Sequence, residues 1–287
     1  MHRGGATARA GGQPGPAKIR GPAVILVAHG SKSVEAAGAS ARTLAERLRA
    51  HKDLGAVEVA FIHDRPSLAD ALAHLADELE VCIVPLFAAE GFHTLSAIPA
   101  AVETARANRP GQILRQASAL GALPAYVGSL ARRLRHLTAG TGIDRSKAAF
   151  LAIGHGSRHW AVPADDAASR LADALRPDFG TSDALYLDCE PAATSWPSRI
   201  AASTLVVAPV FFSDARHVAR DVPHLFGLAD HPPAIADALS GPWIAEGRSV
   251  WYADLPAVTS CVVNLIADLA LSATKEGAEP MRAMKPT

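Results

Sequence analysis

Two pairs of histidines recur along the chain at a nearly constant spacing. His29 and His155 each follow a short apolar run and precede Gly–Ser, and they lie 126 residues apart. His93 and His217 each follow a second apolar run containing phenylalanine, and they lie 124 residues apart. A single His–Gly–Ser segment is most often only a turn, but two converging imidazoles can hold a divalent metal or exchange protons near neutral pH. The pattern therefore predicts metal or proton chemistry.

These histidines belong to an internal repeat. Residues 24–31 (VILVAHGS) match residues 150–157 (FLAIGHGS), and a weaker match ends at Pro66 and Pro191, with an offset of 125 residues. Matches in the same order at nearly constant offset indicate a tandem architecture. The chain is therefore predicted to contain two copies of one unit of about 120 residues.

Strands and helices are predicted to alternate within each copy. Short apolar runs bounded by turn residues are typical of buried strands. The predicted strands cover 24–28, 57–62, 81–87 and 113–115 in the first copy, and 148–153, 184–187 and 204–210 in the second. Helical spacing of apolar residues predicts helices over about 35–51 and from Ser67 onward. This alternation predicts an α/β fold of two tandem doubly wound parallel-sheet domains, related by a pseudo-two-fold axis.

The repeat also predicts domain limits and a site at one sheet edge. We expect domains over 23–140 and 146–273, a disordered tail over 1–22 and a loose tail over 274–287. Ligands of open parallel sheets bind beyond the carboxyl ends of the strands. Both histidines of each copy follow such an end, so each pair is expected to converge there.

Composition narrows the function classes. The 287 residues carry 28 Lys and Arg against 28 Asp and Glu, and this balance argues against nucleic-acid binding. No apolar run reaches the length of about 20 residues that a membrane span needs. Cys82, Cys189 and Cys261 are far apart, which argues against a disulfide framework and fits a reducing, cytoplasmic setting.

The order of these motifs resembles the class II tetrapyrrole chelatases. The second copy carries Gly–His–Gly–Ser–Arg over 154–158 and His–Val–Ala–Arg–Asp–Val–Pro over 217–223. The resemblance is closest to sirohydrochlorin chelatases of the CbiX/SirB type, and it covers about residues 23–272. It implies ATP-independent insertion of Co²⁺ or Fe²⁺ into a sirohydrochlorin-like tetrapyrrole during cobalamin or sirohaem biosynthesis. No cofactor beyond the metal substrate is implied.

The two copies depart from the family pattern differently. In the first copy, Ala28 replaces the Gly before the histidine, and the segment from His93 to Pro99 lacks the usual Asp. The family's acid after the second strand corresponds to His63 in the first copy. In the second copy, it corresponds to Asp188, with Glu190 nearby. The first copy therefore offers three imidazoles and the second offers two imidazoles and an acid, so both remain candidates for the working site.

The resemblance also implies roles for individual residues. His29, His93, His155 and His217 are the expected metal ligands and catalytic bases, and Asp188 and Glu190 are further catalytic candidates. Cations and hydroxyls beside them would bind the carboxylates of the substrate, and aromatic side chains would face its ring. The expected substrate contacts are Ser31, Lys32, Ser157, Arg158, Arg216, Arg220, Phe87 and Phe212, with Phe92, Phe211 and Trp160 as further aromatic candidates.

Two other functions remain open. A non-catalytic carrier of metal or tetrapyrrole could use the same scaffold, and the altered motif of the first copy makes this alternative credible. The His–Gly–Ser turn could instead bind phosphate at a helix N-terminus, but the loop contains few glycines. A carrier would bind metal stoichiometrically without turnover, whereas a phosphate site would bind nucleotides.

Overall fold

The computed structural model describes residues 21–30, 38–75, 80–157, 162, 166–212, 220–228, 238–254 and 260–273. The first half contains β1 (Ala23–Ala28), α1 (Ala39–Arg49), β2 (Val57–Phe61), α2 (Leu68–Ala73), β3 (Glu80–Pro85), α3 (Ile98–Asn108), β4 (Ile113–Gln116) and α4 (Pro124–Thr138). The second half contains β5 (Ala149–Gly154), α5 (Ala167–Leu175), β6 (Thr181–Tyr186), α6 (Trp196–Arg199), β7 (Thr204–Pro209), α7 (Val222–Leu225), β8 (Leu239–Ala245), β9 (Arg248–Ala253) and α8 (Ser260–Ala273).

The strands form two sheets with matching order. The first sheet runs β2-β1-β3-β4 and is parallel throughout. The second runs β6-β5-β7-β9-β8, and its first four strands are parallel in the same arrangement. Strand β8 adds an antiparallel edge. The α/β fold with two tandem parallel sheets is confirmed, and the antiparallel edge is an addition to it.

Each sheet buries both faces, because helices cover both sides. All six residues of β1 and all six of β5 are buried. Successive side chains of a strand point to opposite faces. Val24 and Leu26 therefore join one core, whereas Ile25 joins another. Burial of one such aliphatic side chain contributes about 2 kcal/mol, so the central strands have a strongly specified register.

The two halves share one of these cores. It combines the inner faces of both sheets with the buried sides of helices α1, α4, α5 and α8. Tyr126 of α4 and Phe212, which follows β7, pack there with ring centroids 5.0 Å apart. A backbone hydrogen bond from the Ala167 N–H to the Ala88 carbonyl oxygen, 3.0 Å long, also joins the halves. The copies are therefore packed together as one hydrophobic structure.

Local signals explain where the helices begin. At the start of α2, the Ser67 hydroxyl accepts a hydrogen bond from the Asp70 N–H, and the Asp70 carboxylate accepts one from the Ser67 N–H. This capping box lowers the pKa of Asp70, chiefly through the bond from the Ser67 backbone. Asp166 caps α5 by accepting from the N–H groups of Ala168 and Ser169. These helix starts follow from the local sequence.

The structure differs from the sequence-based expectations in several places. The second copy contains strands β8 and β9, which were not predicted, and Phe212 is buried in the shared core instead of facing a substrate. Of the predicted tails over residues 1–22 and 274–287, all but Gly21 and Pro22 lies outside the described residues. In the part of the chain that is described, every helix falls short of the length and apolarity needed to cross a bilayer.

The shared core generates a stability prediction. Tyr126→Ala is expected to lower the free energy of unfolding by about 3–5 kcal/mol, because it leaves a cavity between the two halves. Tyr126→Phe keeps the packing and should cost about 1 kcal/mol or less. Arg132→Ala, on the exposed side of the same helix, is the matched control and should stay within about 0.5 kcal/mol. Urea denaturation measures these changes, and two separate unfolding transitions in the wild type would contradict a shared core.

Candidate metal centre

The backbone pairing of β1 with β2 continues beyond the strands and aligns two histidines. The Ile62 N–H donates to the Ala28 carbonyl oxygen, and the His63 N–H donates to the His29 carbonyl oxygen, both at 3.0 Å. His29 and His63 are therefore neighbours across the carboxyl edge of the sheet. Their ring centroids are 4.7 Å apart, close to the strand spacing itself.

The glycine after His29 allows the chain to turn away from the sheet. Gly30 has a φ of +72°, and a Cβ there would lie 2.8 Å from the Cβ of Phe61. Gly156, after His155, has the same φ, and a Cβ there would lie 2.4 Å from the Cys189 sulfur. Both positions need glycine for conformation and for space, which explains the repeated His–Gly pair.

His93 approaches from the loop after β3. It is the first residue of a π-helical turn, His93–Ala97, that leads directly into α3. The buried Thr94 hydroxyl accepts from the Gly91 N–H at 2.8 Å and closes the preceding loop. The turn brings the His93 ring centroid to 5.3 Å from that of His29 and 5.5 Å from that of His63.

The three imidazoles form a compact donor group. One ligand nitrogen from each of His29, His63 and His93 lies within 4.8 Å of the others. Small ring rotations would bring them to the distance of about 2.1 Å at which imidazole nitrogens bind a first-row metal. Within the described residues, no other group of three histidine, cysteine or carboxylate side chains comes this close together.

Hydrogen bonding leaves nitrogen lone pairs open toward the centre of the group. His29 Nδ1 lies 3.0 Å from the Gly30 carbonyl oxygen, which only accepts, so Nδ1 carries the proton and Nε2 keeps its lone pair. His93 Nδ1 is buried without a hydrogen-bond partner among the described residues. Burial, followed by the charges of His29 and His63, lowers the pKa of His93. A lowered pKa favours the neutral imidazole, which is the form that binds metals.

Apolar surface surrounds this donor group. The rings of Phe87 and Phe92 lie 5.7 and 5.6 Å from the His93 ring, between centroids. Four large apolar side chains are mostly exposed in the described part of the chain, and two of them, Phe92 at 68% and Leu95 at 64%, flank His93. A flat apolar ligand would therefore find contacts beside the imidazoles.

The second copy has the same backbone frame with different side chains. The Asp188 N–H donates to the His155 carbonyl oxygen at 2.9 Å, which matches the His63–His29 bond. The Asp188 carboxylate lies 3.8 Å from His155 Nδ1. Glu190 instead accepts from the Ala192 N–H of its own loop. His217 lies outside the described residues, so this copy is seen as a histidine–carboxylate pair.

The remaining predicted contacts are distributed as follows. Phe87 lines the imidazole group, and Ser157 follows Gly156 at the second sheet edge. Arg220 is exposed just before α7. Ser31, Lys32, Arg158, Trp160 and Arg216 lie outside the described residues.

Leu95 was not predicted as part of the site, because nothing in the repeat marks an exposed residue. His63 was noted through its alignment with Asp188, and that alignment was the available signal.

Comparison with known proteins identifies the family. The sequence profile of CbiX matches residues 23–137 and again residues 149–255, so it covers both repeats. The chain belongs to the CbiX family. The predicted resemblance is thereby confirmed at the level of the family.

Two similar proteins have names or descriptions that refer to chelatases. A probable sirohydrochlorin cobaltochelatase of Halobacterium salinarum is 23% identical over 275 residues, which cover 88% of this chain and 91% of that protein. DR2241 of Deinococcus radiodurans, described as structurally similar to chelatases, has a TM-score of 0.66 at 22% identity. The match covers 91% of this chain, which spans 56% of the DR2241 chain.

The sirohydrochlorin chelatase SirB of Bacillus subtilis supplies a further structural comparison. Its structure with Fe³⁺ has a TM-score of 0.63 at 17% identity, and its structure from subspecies spizizenii with cobalt has a TM-score of 0.58 at 18% identity. Each match covers 89% of this chain and 98% of SirB. At these identities, the similarity establishes the fold.

The imidazole group generates a binding prediction. His29→Ala, His63→Ala and His93→Ala are each expected to weaken Co²⁺ binding by roughly 10–100-fold or more, because each removes a donor nitrogen. His136→Ala, which removes an exposed histidine from α4, is the matched control and should leave the affinity unchanged. Isothermal titration calorimetry and the visible spectrum of bound Co²⁺ measure the effect. Wild-type affinity in the His63 variant would exclude His63 as a ligand.

Proposed function

We propose that this protein is a sirohydrochlorin chelatase that inserts Co²⁺ or Fe²⁺ without ATP, for cobalamin or sirohaem biosynthesis. The observation that carries the proposal is the convergence of His29, His63 and His93 at the carboxyl edge of the first sheet. Membership of the CbiX family and the chelatase names of the relatives support it. The first copy is the proposed working site, since three donors already converge there.

The three imidazoles form a donor set that can bind a metal and later release it. Imidazole binds first-row divalent ions, and Co²⁺ generally binds more tightly than Fe²⁺. Three neutral imidazoles leave the full positive charge on the bound ion. That charge would attract sirohydrochlorin, which carries eight carboxylates. The metal is therefore proposed as a substrate that passes through the site.

Insertion also requires proton transfer. When M²⁺ enters the macrocycle, two pyrrole N–H bonds break, two metal–nitrogen bonds replace them and two protons leave. An imidazole that releases the metal regains its lone pair at that moment and can accept one of these protons. His93 suits this role, because burial lowers its pKa and its ring lies beside Phe87. The exposed His29 and His63 can pass protons to water.

The decisive test follows the absorption spectrum of sirohydrochlorin mixed with Co²⁺ or Fe²⁺ and catalytic amounts of protein. Acceleration with many turnovers per protein is expected. It should fall by at least about 100-fold in His29→Ala and His93→Ala, and it should persist in His136→Ala. Stoichiometric metal binding without turnover would favour the carrier function instead. Loss of turnover in His155→Ala, with full activity in His93→Ala, would assign the reaction to the second copy.

The exposed apolar side chains generate a second prediction. Phe92→Ser should raise the KM for the tetrapyrrole by roughly tenfold, because burial of one aromatic side chain contributes about 1.5–3 kcal/mol. Co²⁺ affinity should stay unchanged, since Phe92 offers no ligand atom. Ile244→Ser is the matched control, because Ile244 is equally exposed at 74% but lies on β8, far along the chain from the histidines. Equal KM values for both variants would contradict a macrocycle contact at Phe92.

A further inference from the structure

The π-helical turn that carries His93 has an unusual hydrogen-bonding pattern. The Ile98 N–H donates to the His93 carbonyl oxygen, five residues back, instead of to Thr94 four residues back. In the same register, the Thr94 carbonyl oxygen would accept from residue 99. That residue is Pro99, which has no N–H. The helix backbone therefore offers the Thr94 carbonyl no donor.

A side chain from another element supplies the missing donor. Gln116, the last residue of β4, donates from its side-chain nitrogen to the Thr94 carbonyl oxygen at 2.7 Å. A carbonyl oxygen only accepts, so the Gln116 nitrogen must face it. Gln116 is fixed in turn by the sheet, where it lies opposite Ile83 of β3. The bond thus ties the turn to the rigid first sheet.

We infer that Gln116 is a positioning residue that holds His93 in the ligand geometry. This inference rests on the proposed metal site, because it concerns the orientation of one of its donors. The two other imidazoles are aligned by the β1–β2 ladder, whereas His93 depends on a turn whose backbone bonding is incomplete. Without the Gln116 donor, the Thr94 carbonyl oxygen would lose its hydrogen bond beside His93. The backbone of the turn could then change to another helical hydrogen-bonding register.

The equivalent strand position of the second copy carries a side chain of a different kind. The strand position equivalent to Gln116, opposite Val207, is Tyr252. Tyr252 is buried and packs in a core of the second sheet. The same backbone thus accepts an aromatic core residue there. The amide of Gln116 is accordingly a feature of the copy in which the three imidazoles converge.

The test removes the hydrogen-bond donor of Gln116 and measures how Co²⁺ binding changes. Gln116→Met keeps the length of the side chain and removes the N–H, and Gln116→Glu keeps the shape and replaces the donor with an acceptor. Both should weaken Co²⁺ binding by about tenfold, which is the low end of the effect expected for residues that hold a metal ligand in place. Both should also change the visible spectrum of bound Co²⁺, which reports ligand geometry.

Arg115→Met is the matched control. Arg115 is the neighbouring residue of β4, its side chain points to the opposite face of the sheet, and it pairs with Glu80. The variant also removes a polar contact of the same strand, so its melting temperature should fall by a similar amount. Co²⁺ affinity and spectrum should remain those of the wild type. Equal Co²⁺ effects in Arg115→Met and Gln116→Met would reduce Gln116 to a structural role and overturn the inference.

A metal-free measurement separates this inference from the proposed function. In selectively labelled protein, the NMR signal of the His93 ring should shift in Gln116→Met and stay in place in Arg115→Met. An unchanged His93 signal would overturn the positioning role, whether or not the protein binds metal. Wild-type protein that fails to bind Co²⁺, together with a shifted His93 signal in Gln116→Met, would overturn the metal site while preserving the positioning role.

Discussion

The hydrogen bond from the His63 N–H to the His29 carbonyl oxygen is the interaction on which the site depends. It continues the β1–β2 pairing past the strands, since His29 lies one residue after the end of β1 and His63 two residues after the end of β2. The distance between the two rings, 4.7 Å, is therefore set by the spacing of neighbouring strands. A shift of register by one residue would separate the rings and exchange the β1 side chains between the two cores on either side of the sheet. The hydrophobic core thus fixes the spacing of two donors before any metal arrives.

His93, the third proposed donor, is held less rigidly than His29 and His63. This difference suits a metal that must leave the site. His93 belongs to a turn, and its orientation depends on the contacts of Thr94 with Gly91 and Gln116. A fully rigid cage would bind the ion tightly and slow its transfer, since only binding that strengthens toward the transition state accelerates a reaction. Two donors fixed by the sheet and one on a turn can open on one side. The exposed Leu95 belongs to that turn, and the exposed Phe92 immediately precedes it.

Sequence patterns predicted the repeat, the strands of the parallel sheets and the sheet edge, because each follows from local chemistry. Buried parallel strands appear as apolar runs, and the capping box at Ser67 marks a helix start. Strand β8 was missed because none of its residues is buried and Gly241 and Pro242 interrupt it. Phe212 was assigned to the substrate because it ends the strand that precedes the His217 loop, as Phe87 does before His93. Tyr126 from the other half covers it, and contacts between copies leave no mark in a repeat.

The two copies place different side chains at one backbone position, and this difference bears on the metal site that we propose. At the same backbone position, the first copy has His63 and the second has Asp188, and both N–H groups make the same hydrogen bond. An imidazole adds no charge to a bound dication, whereas a carboxylate neutralises part of it. In a half-buried site, that difference changes both the affinity for the ion and the attraction of an anionic macrocycle. Divergence at this one position would therefore give the two copies different metal affinities, while the backbone pairing that aligns the side chains stays the same.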